Sequence, residues 1–431
     1  MSGNSFNKGI AASFFVHNLQ LFKKKAIQWA QQFEQVCALD NNFYNNHLHH
    51  REEFLLAAGK KTEVKTNTNC FSTLEKYIHE HEGYKFGFIT YDVKNEIEKL
   101  KSTNELSIEF PSIYFFIPEI LIRIDGKNIV IQSENNNEES IFDAINNIEI
   151  PFQIKQKKAV IQSRLTKEKY IAKINEIKEY IKEGEVYELN FCQEFYCENY
   201  SADPVQLFQS LNEKSPAPFS CFIKYGSKFL ISASPERFLM KTNTTLLSQP
   251  IKGTIKRSEN KTEDEKLKND LLTSAKDRAE NVMIVDLVRN DLSRSCKAGS
   301  VEVEELFGIY SYPKVHQMIS TVCGELKDEL RITDALKNAF PMGSMTGAPK
   351  IRAMQLIDEL ENFRRGLYSG CVGYFSPEND LDFNVVIRSI QYDAEKKFLS
   401  FATGGAITID SEPEEEYQEC LLKAEAIKSV L

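Results

Sequence analysis

Four short apolar runs follow one another between residues 219 and 249: Phe219 to Lys224, Phe229 to Ser232, Arg237 to Lys241 and Thr245 to Gln249. Tyr225-Gly226 and Thr242-Asn243 separate them, and Gly and Asn are residues that reverse a chain in two positions. Runs of this length joined by such turns pair as neighbours, so the stretch predicts an antiparallel meander. The tail repeats the pattern with strands at Tyr368 to Phe375, Asp382 to Tyr392 and Phe398 to Thr403. Lys85 to Tyr91 and Ser112 to Ile124 read as strands nearer the start.

Helical signals fall between these groups. Tyr170, Ile174, Ile177 and Ile181 recur at helical spacing and Gly184 follows as a stop. Leu19 to Phe33 and the long stretch Glu263 to Leu292 read as helices, a further helix opens at Thr346-Gly347-Ala348-Pro349, and another begins at Pro413. Strands and helices thus cluster instead of alternating, which predicts an α+β fold. The polar run Ser133 to Ser140 predicts an exposed connection, with a boundary that divides the chain into residues 1–145 and 146–431.

With 42% hydrophobic and 27% charged residues, the 431-residue chain is globular rather than disordered. A net charge of -9 disfavours nucleic acid and anionic membranes as partners. The basic run Lys23, Lys24 and Lys25 reads as a solvated helix face. Nine cysteines without a C-x-x-C pair argue against both a disulfide framework and a zinc knuckle, and fit a reducing cytoplasm. No export signal is seen, and no run approaches the ~20 apolar residues of a membrane span. His47, His49 and His50 lack partners for a metal site and read as a surface loop or helix end.

Two acidic pairs stand out. Glu416 and Glu419 lie three apart in the last helix, and Asp277 and Glu280 repeat that spacing in an earlier one, so each pair shares a helix face. Helix starts favour acids in any case, but two such faces opposite each other could hold Mg2+. Thr403-Gly404-Gly405-Ala406 ends a strand in two glycines, either a plain turn or a close backbone approach to an anion. The helix opening after Thr346, with Lys350 in its first turn, and Arg388 offer further anion contacts. Lys252, between Pro250 and Gly253, is either a surface lysine at a hairpin end or a positioned nucleophile. In the second case Glu236 is the candidate acid or base.

The chain resembles the chorismate-binding family through ordered motifs: SPERF at 234–238, PIKGT at 250–254, and DRAENVMIVDLVRNDLSR at 277–294. Val315-His316, FPMGSMTGAPKIRAM at 340–354, GYF at 373–375, VIRS at 386–389, ATGGAIT and EYQE complete the series. The resemblance covers roughly residues 160 to 431. It implies two antiparallel sheets packed as a sandwich with helices outside, the N-terminal region contributing to the same sandwich. It also implies a Mg2+ cofactor held by Glu280 and Glu419 with Asp277 and Glu416 in support. Thr346, Tyr374, Arg388, the amides of Gly404 and Gly405, and Lys423 become substrate-binding residues, and His316 lies near the ring.

Within the family, Lys252 matches the branch that makes 4-amino-4-deoxychorismate on the route to 4-aminobenzoate and folate, whereas the anthranilate-forming branch carries Ala there. The implied mechanism adds Lys252 to the ring as the hydroxyl leaves with help from Glu236, and ammonia then displaces the lysine. Isochorismate and salicylate synthases use a water-activating lysine in the strand that here reads Val186-Tyr187-Glu188-Leu189-Asn190, without lysine, so hydroxylation is disfavoured. With no evident glutamine-hydrolysing domain, ammonia is expected from a glutamine amidotransferase subunit. The alternatives are an anthranilate synthase component and an inactive chorismate-binding regulatory subunit.

Overall fold

The computed structural model describes residues 11–44, 49, 52–150 and 158–431. They form two antiparallel sheets, one of twelve strands and one of ten, so the α+β sandwich implied by the resemblance is the fold. Helices Leu19–Trp29, Lys167–Lys182, Pro204–Lys214, Lys350–Leu360 and Pro413–Lys428 cover the outer face of the larger sheet. Cys70–Glu80, Ala275–Ser293 and Ile332–Ala339 cover the smaller one. Between the sheets lies a core that includes Phe86, Phe88, Tyr114, Ile223, Leu230 and Val372.

The helix Lys167–Lys182 forms as its periodicity requires, with Tyr170, Ile174 and Ile177 buried and the Thr166 hydroxyl accepting from the Lys169 amide. The meander, however, is divided. Phe219–Tyr225 and Lys228–Ser234 pair in the larger sheet, while Arg237–Thr242 and Thr245–Gln249 pair in the smaller. The crossing falls at Pro235-Glu236, where proline has no amide to offer a ladder. Glu236 therefore sits in a corner between sheets.

The expected helix from Glu263 to Leu292 is two, Lys261–Thr273 and Ala275–Ser293. Ser274 is extended, and its hydroxyl caps the second helix by accepting from the Asp277 amide at 3.3 Å. Gly404 and Gly405 do not end a strand, since Phe398–Ile407 runs through them. The polar run is only partly a connection: Ser133 closes a strand, and buried Glu138 opens a helix and accepts from the Ser133 hydroxyl at 2.7 Å.

Lys23 also departs from the solvated face. It is buried and ion-paired to Asp40 at 2.8 Å, while Lys24 meets Glu213 and Lys25 meets the Asn146 carbonyl. All nine cysteines are free thiols. His47 and His50 lie outside the described residues, and His49 pairs with Glu304 at 2.6 Å. No described helix is long and apolar enough to cross a membrane.

Candidate functional site

Lys252 is placed by an irregular strand. Ile251–Lys256 pairs with Val315–Glu325, and the register shifts between Ile251 and Thr254, leaving Lys252 and Gly253 in a bulge. Gly253 has φ +89°, and a Cβ there would lie 3.0 Å from the Asp277 carboxylate. Glycine thus lets this strand pass against the acidic helix. The Lys252 amine turns inward: its side chain is 11% exposed and donates to Glu188 Oε1 at 2.9 Å. Glu188 belongs to the strand Glu188–Cys197 of the other sheet, so the ion pair bridges the sandwich.

Burial works against the Lys252 ammonium, but the charges of Glu188, Glu280 and Glu236 outweigh it and hold its pKa above the ordinary lysine value. Glu236 behaves oppositely. Burial pushes its carboxyl up to about 7, opposed by the Ser344 hydroxyl and by Lys252. Ser344 Oγ faces that carboxyl without a well-formed hydrogen bond, so burial dominates. The structure thus brings together an amine and a buried carboxyl whose pKa burial raises to about 7.

The acidic helices face each other as expected. Lys276 feels Glu280, Glu416, Glu419 and Asp277 together, which puts both helix starts within electrostatic reach of one lysine. Burial raises the Glu280 pKa, with Glu188 and Asp277 adding to it. Burial likewise raises Glu416, whose Oε1 accepts from Ser411 at 2.7 Å, whereas Lys423 lowers Glu419. Lys423 donates to Glu419 at 2.7 Å and to the Gly404 carbonyl at 2.9 Å.

The glycines serve different ends. A Cβ on Gly404 would lie 1.9 Å from the Phe191 carbonyl, so cross-strand packing excludes any side chain. One on Gly405 would reach 3.3 Å from Glu416 Oε2 and 3.8 Å from Glu419 Oε1, intruding on the carboxylates. Strand Ser389–Asp393 pairs with this strand only as far as Ser400, so beyond it one edge has no strand partner among the described residues.

Arg388, immediately before that neighbouring strand, has φ +48°, a strained angle for arginine. Burial lowers its pKa, and its guanidinium makes no hydrogen bond or ion pair among the described residues. A half-buried guanidinium without a partner has the chemistry to pair with an anion.

The remaining candidate residues have partners within the protein. His316 is buried with one ring nitrogen 2.8 Å from the Ser311 hydroxyl and the other 3.1 Å from Asp264, a carboxylate held low by Arg257. Thr346 is buried, and its hydroxyl lies against the Met342 and Gly343 carbonyls of its own turn. Tyr374 lies in the inter-sheet core with Tyr84 and Phe86. Lys350 is ion-paired at 2.6 Å to buried Asp291, whose pKa burial pushes up to about 6. Glu188 was readable only as a missing lysine, because nothing local distinguishes an acid that faces a distant strand.

Mg2+ asks for few protein oxygens, since it keeps water and substrate as ligands. Glu280 and Glu419 carry oxygens of that kind, and among the described residues no three His, Cys, Asp or Glu side chains converge.

The chain is similar to several known proteins. Aminodeoxychorismate synthase component 1 of Escherichia coli is 38% identical over 350 residues, 80% of this chain and 76% of that protein. A chloroplastic aminodeoxychorismate synthase of Arabidopsis thaliana is 45% identical over 264 residues, 61% of this chain but 28% of that longer protein. The crystal structure of anthranilate synthase component I from Streptococcus pneumoniae superposes with a TM-score of 0.76 at 27% identity, covering 90% of this chain and 95% of the other. With residues 26–429 matching the chorismate binding enzymes, the chain belongs to that family.

Proposed function

We propose that the chain is the chorismate-consuming component of an aminodeoxychorismate synthase, replacing the ring hydroxyl of chorismate with an amino group from ammonia. The observation that carries this reading is the inward Lys252 amine, 2.9 Å from Glu188 and beside a buried Glu236 carboxyl. With its pKa near 7, Glu236 holds a proton in a large share of molecules at neutral pH and hands it to the departing hydroxyl. Lys252, once its ammonium has given up a proton, bonds to the ring as nucleophile, and ammonia then takes its place.

Arg388 receives a carboxylate of the substrate, with the open strand edge at Gly404 and Gly405 and the Lys423 amine nearby. Glu280 and Glu419 would hold Mg2+, with Asp277 and Glu416 in support. The ion, when bound, supplies positive charge against the ring carboxylate. Ammonia comes from a glutamine amidotransferase subunit, a partner supported by the word component in the relative's name.

Incubation with chorismate, Mg2+ and ammonium chloride tests this. The expected product becomes 4-aminobenzoate only when a lyase is added, and direct appearance of fluorescent anthranilate would defeat the reading. Lys252→Ala should still bind chorismate by calorimetry yet form no covalent adduct by intact-mass analysis, because it removes only the nucleophile.

A further inference from the structure

Only one of the two Glu188 carboxylate oxygens has a hydrogen-bond donor among the described residues. The residue is 2% exposed; Oε1 takes the Lys252 amine at 2.9 Å, and Oε2 is buried with no donor among the described residues. A buried carboxylate oxygen without a donor is unfavourable, so a ligand bringing an N–H or O–H to it gains binding free energy.

The reactants of the proposed reaction offer few such donors. The substrate's carboxylates and ether oxygen only accept, and Glu188 repels the former. Its ring hydroxyl is a donor, but that oxygen must receive the proton of Glu236 in order to leave. Ammonia remains, a small donor that fits beside an amine already held by the same carboxylate. We propose that Glu188 is the binding residue for the ammonia nucleophile, one oxygen holding Lys252 and the other accepting an ammonia N–H. This rests on the Lys252 reading above.

The protons balance. As the hydroxyl leaves as water, the proton shed by the Lys252 ammonium ends on it through Glu236, and Lys252 remains on the ring as a secondary ammonium. Ammonia then forms the new carbon–nitrogen bond while the Lys252–carbon bond breaks and the ring electrons shift back. The new ring ammonium returns one proton through Glu188 to the freed Lys252 amine, restoring the resting ion pair. Chorismate and ammonia have then become the amino product and water.

Intact-mass analysis separates the two halves of the reaction. Chorismate without ammonium reads adduct formation on Lys252, and ammonium chloride added afterwards reads its discharge. In Glu188→Gln the adduct should still form, while the ammonium concentration for half-maximal discharge rises about tenfold to a hundredfold. Glu188→Asp, which keeps the charge on a shorter arm, should recover part of that loss. Half-saturation within about twofold of the wild type in both variants overturns the assignment of Glu188. A wild type that forms no adduct overturns the Lys252 reading, and this one with it. If the Gln variant loses its native circular dichroism, the Asp variant decides: an unchanged requirement for ammonium overturns the assignment, and a raised one supports it.

Discussion

A carboxyl buried as deeply as Glu236 destabilises the fold whenever it ionises, and the sign of that effect is testable. Its folded pKa, about 7, lies above the value of an exposed glutamate, so the folded protein binds more protons than the unfolded chain at intermediate pH. The favourable term is complete below the unfolded pKa of ~4.3 and is lost as pH rises through about 7. Glu236→Gln cannot ionise, so it should match the wild type in urea near pH 4 and exceed it above pH 7 by up to ~3 kcal/mol, while losing turnover. A variant with no such advantage at high pH would show that the carboxyl is not desolvated. The glycines give a second contrast. Gly404→Ala meets a backbone carbonyl and should cost on the order of 2–4 kcal/mol, read as a lower melting temperature. Gly405→Ala should fold to within about 1 kcal/mol of the parent but bind Mg2+ and chorismate more weakly, because its methyl reaches the carboxylates.

The facing helices Ala275–Ser293 and Pro413–Lys428 carry a charge balance that single residues do not reveal. Lys276 stands among Asp277, Glu280, Glu416 and Glu419, an exposed cation where a divalent ion would bring its charge. Lys276→Met should tighten Mg2+ binding by about fivefold in low salt, and the gain should shrink as salt screens the site. Calorimetric titration showing weaker binding would mean that Lys276 orients the acids instead of competing with the metal. The pairing of these helices was legible because acids three apart share a face whatever the surrounding fold. Their boundaries were less so. Ser274 interrupts a continuous helical pattern without Gly or Pro, and its capping role depends on the Asp277 amide being there to donate. The meander failed for a related reason: alternation and turns identify strands, but nothing local reports that the chain changes sheets at Pro235. Lys23 shows the same limit, since its partner Asp40 lies on a strand beyond the helix and no spacing rule joins them.

Across the whole molecule, both sheets are built from both ends of the chain. In the larger one, strands Ala11–Phe15, Asn128–Ser133, Ile120–Asp125, Phe54–Ala58 and Gln35–Asp40 lie side by side, the last pairing with Phe219–Tyr225. In the smaller one, Lys85–Ile89 pairs with Cys371–Phe375 and is followed by Ile113–Ile117 and Thr62–Thr66. The inter-sheet core likewise mixes Cys37, Leu55, Phe86, Phe88 and Tyr114 with Cys221, Ile223, Leu230, Val372 and Val386. The residues proposed to carry the chemistry all lie after residue 186, so the motifs that point to them say nothing of the scaffold around them. A fragment of residues 146–431 would keep Lys252, Glu188, Glu236, Glu280 and Glu419. It would also expose two strand edges, at Phe219–Tyr225 and Cys371–Phe375, and one side of an apolar core. Unpaired edges beside exposed apolar surface template aggregation. The fragment should therefore aggregate, or bind a hydrophobic dye and lack near-ultraviolet circular dichroism, with no chorismate binding by calorimetry. A fragment that melts cooperatively and binds chorismate would mean that the N-terminal strands are an accessory and that the site stands on the later strands alone.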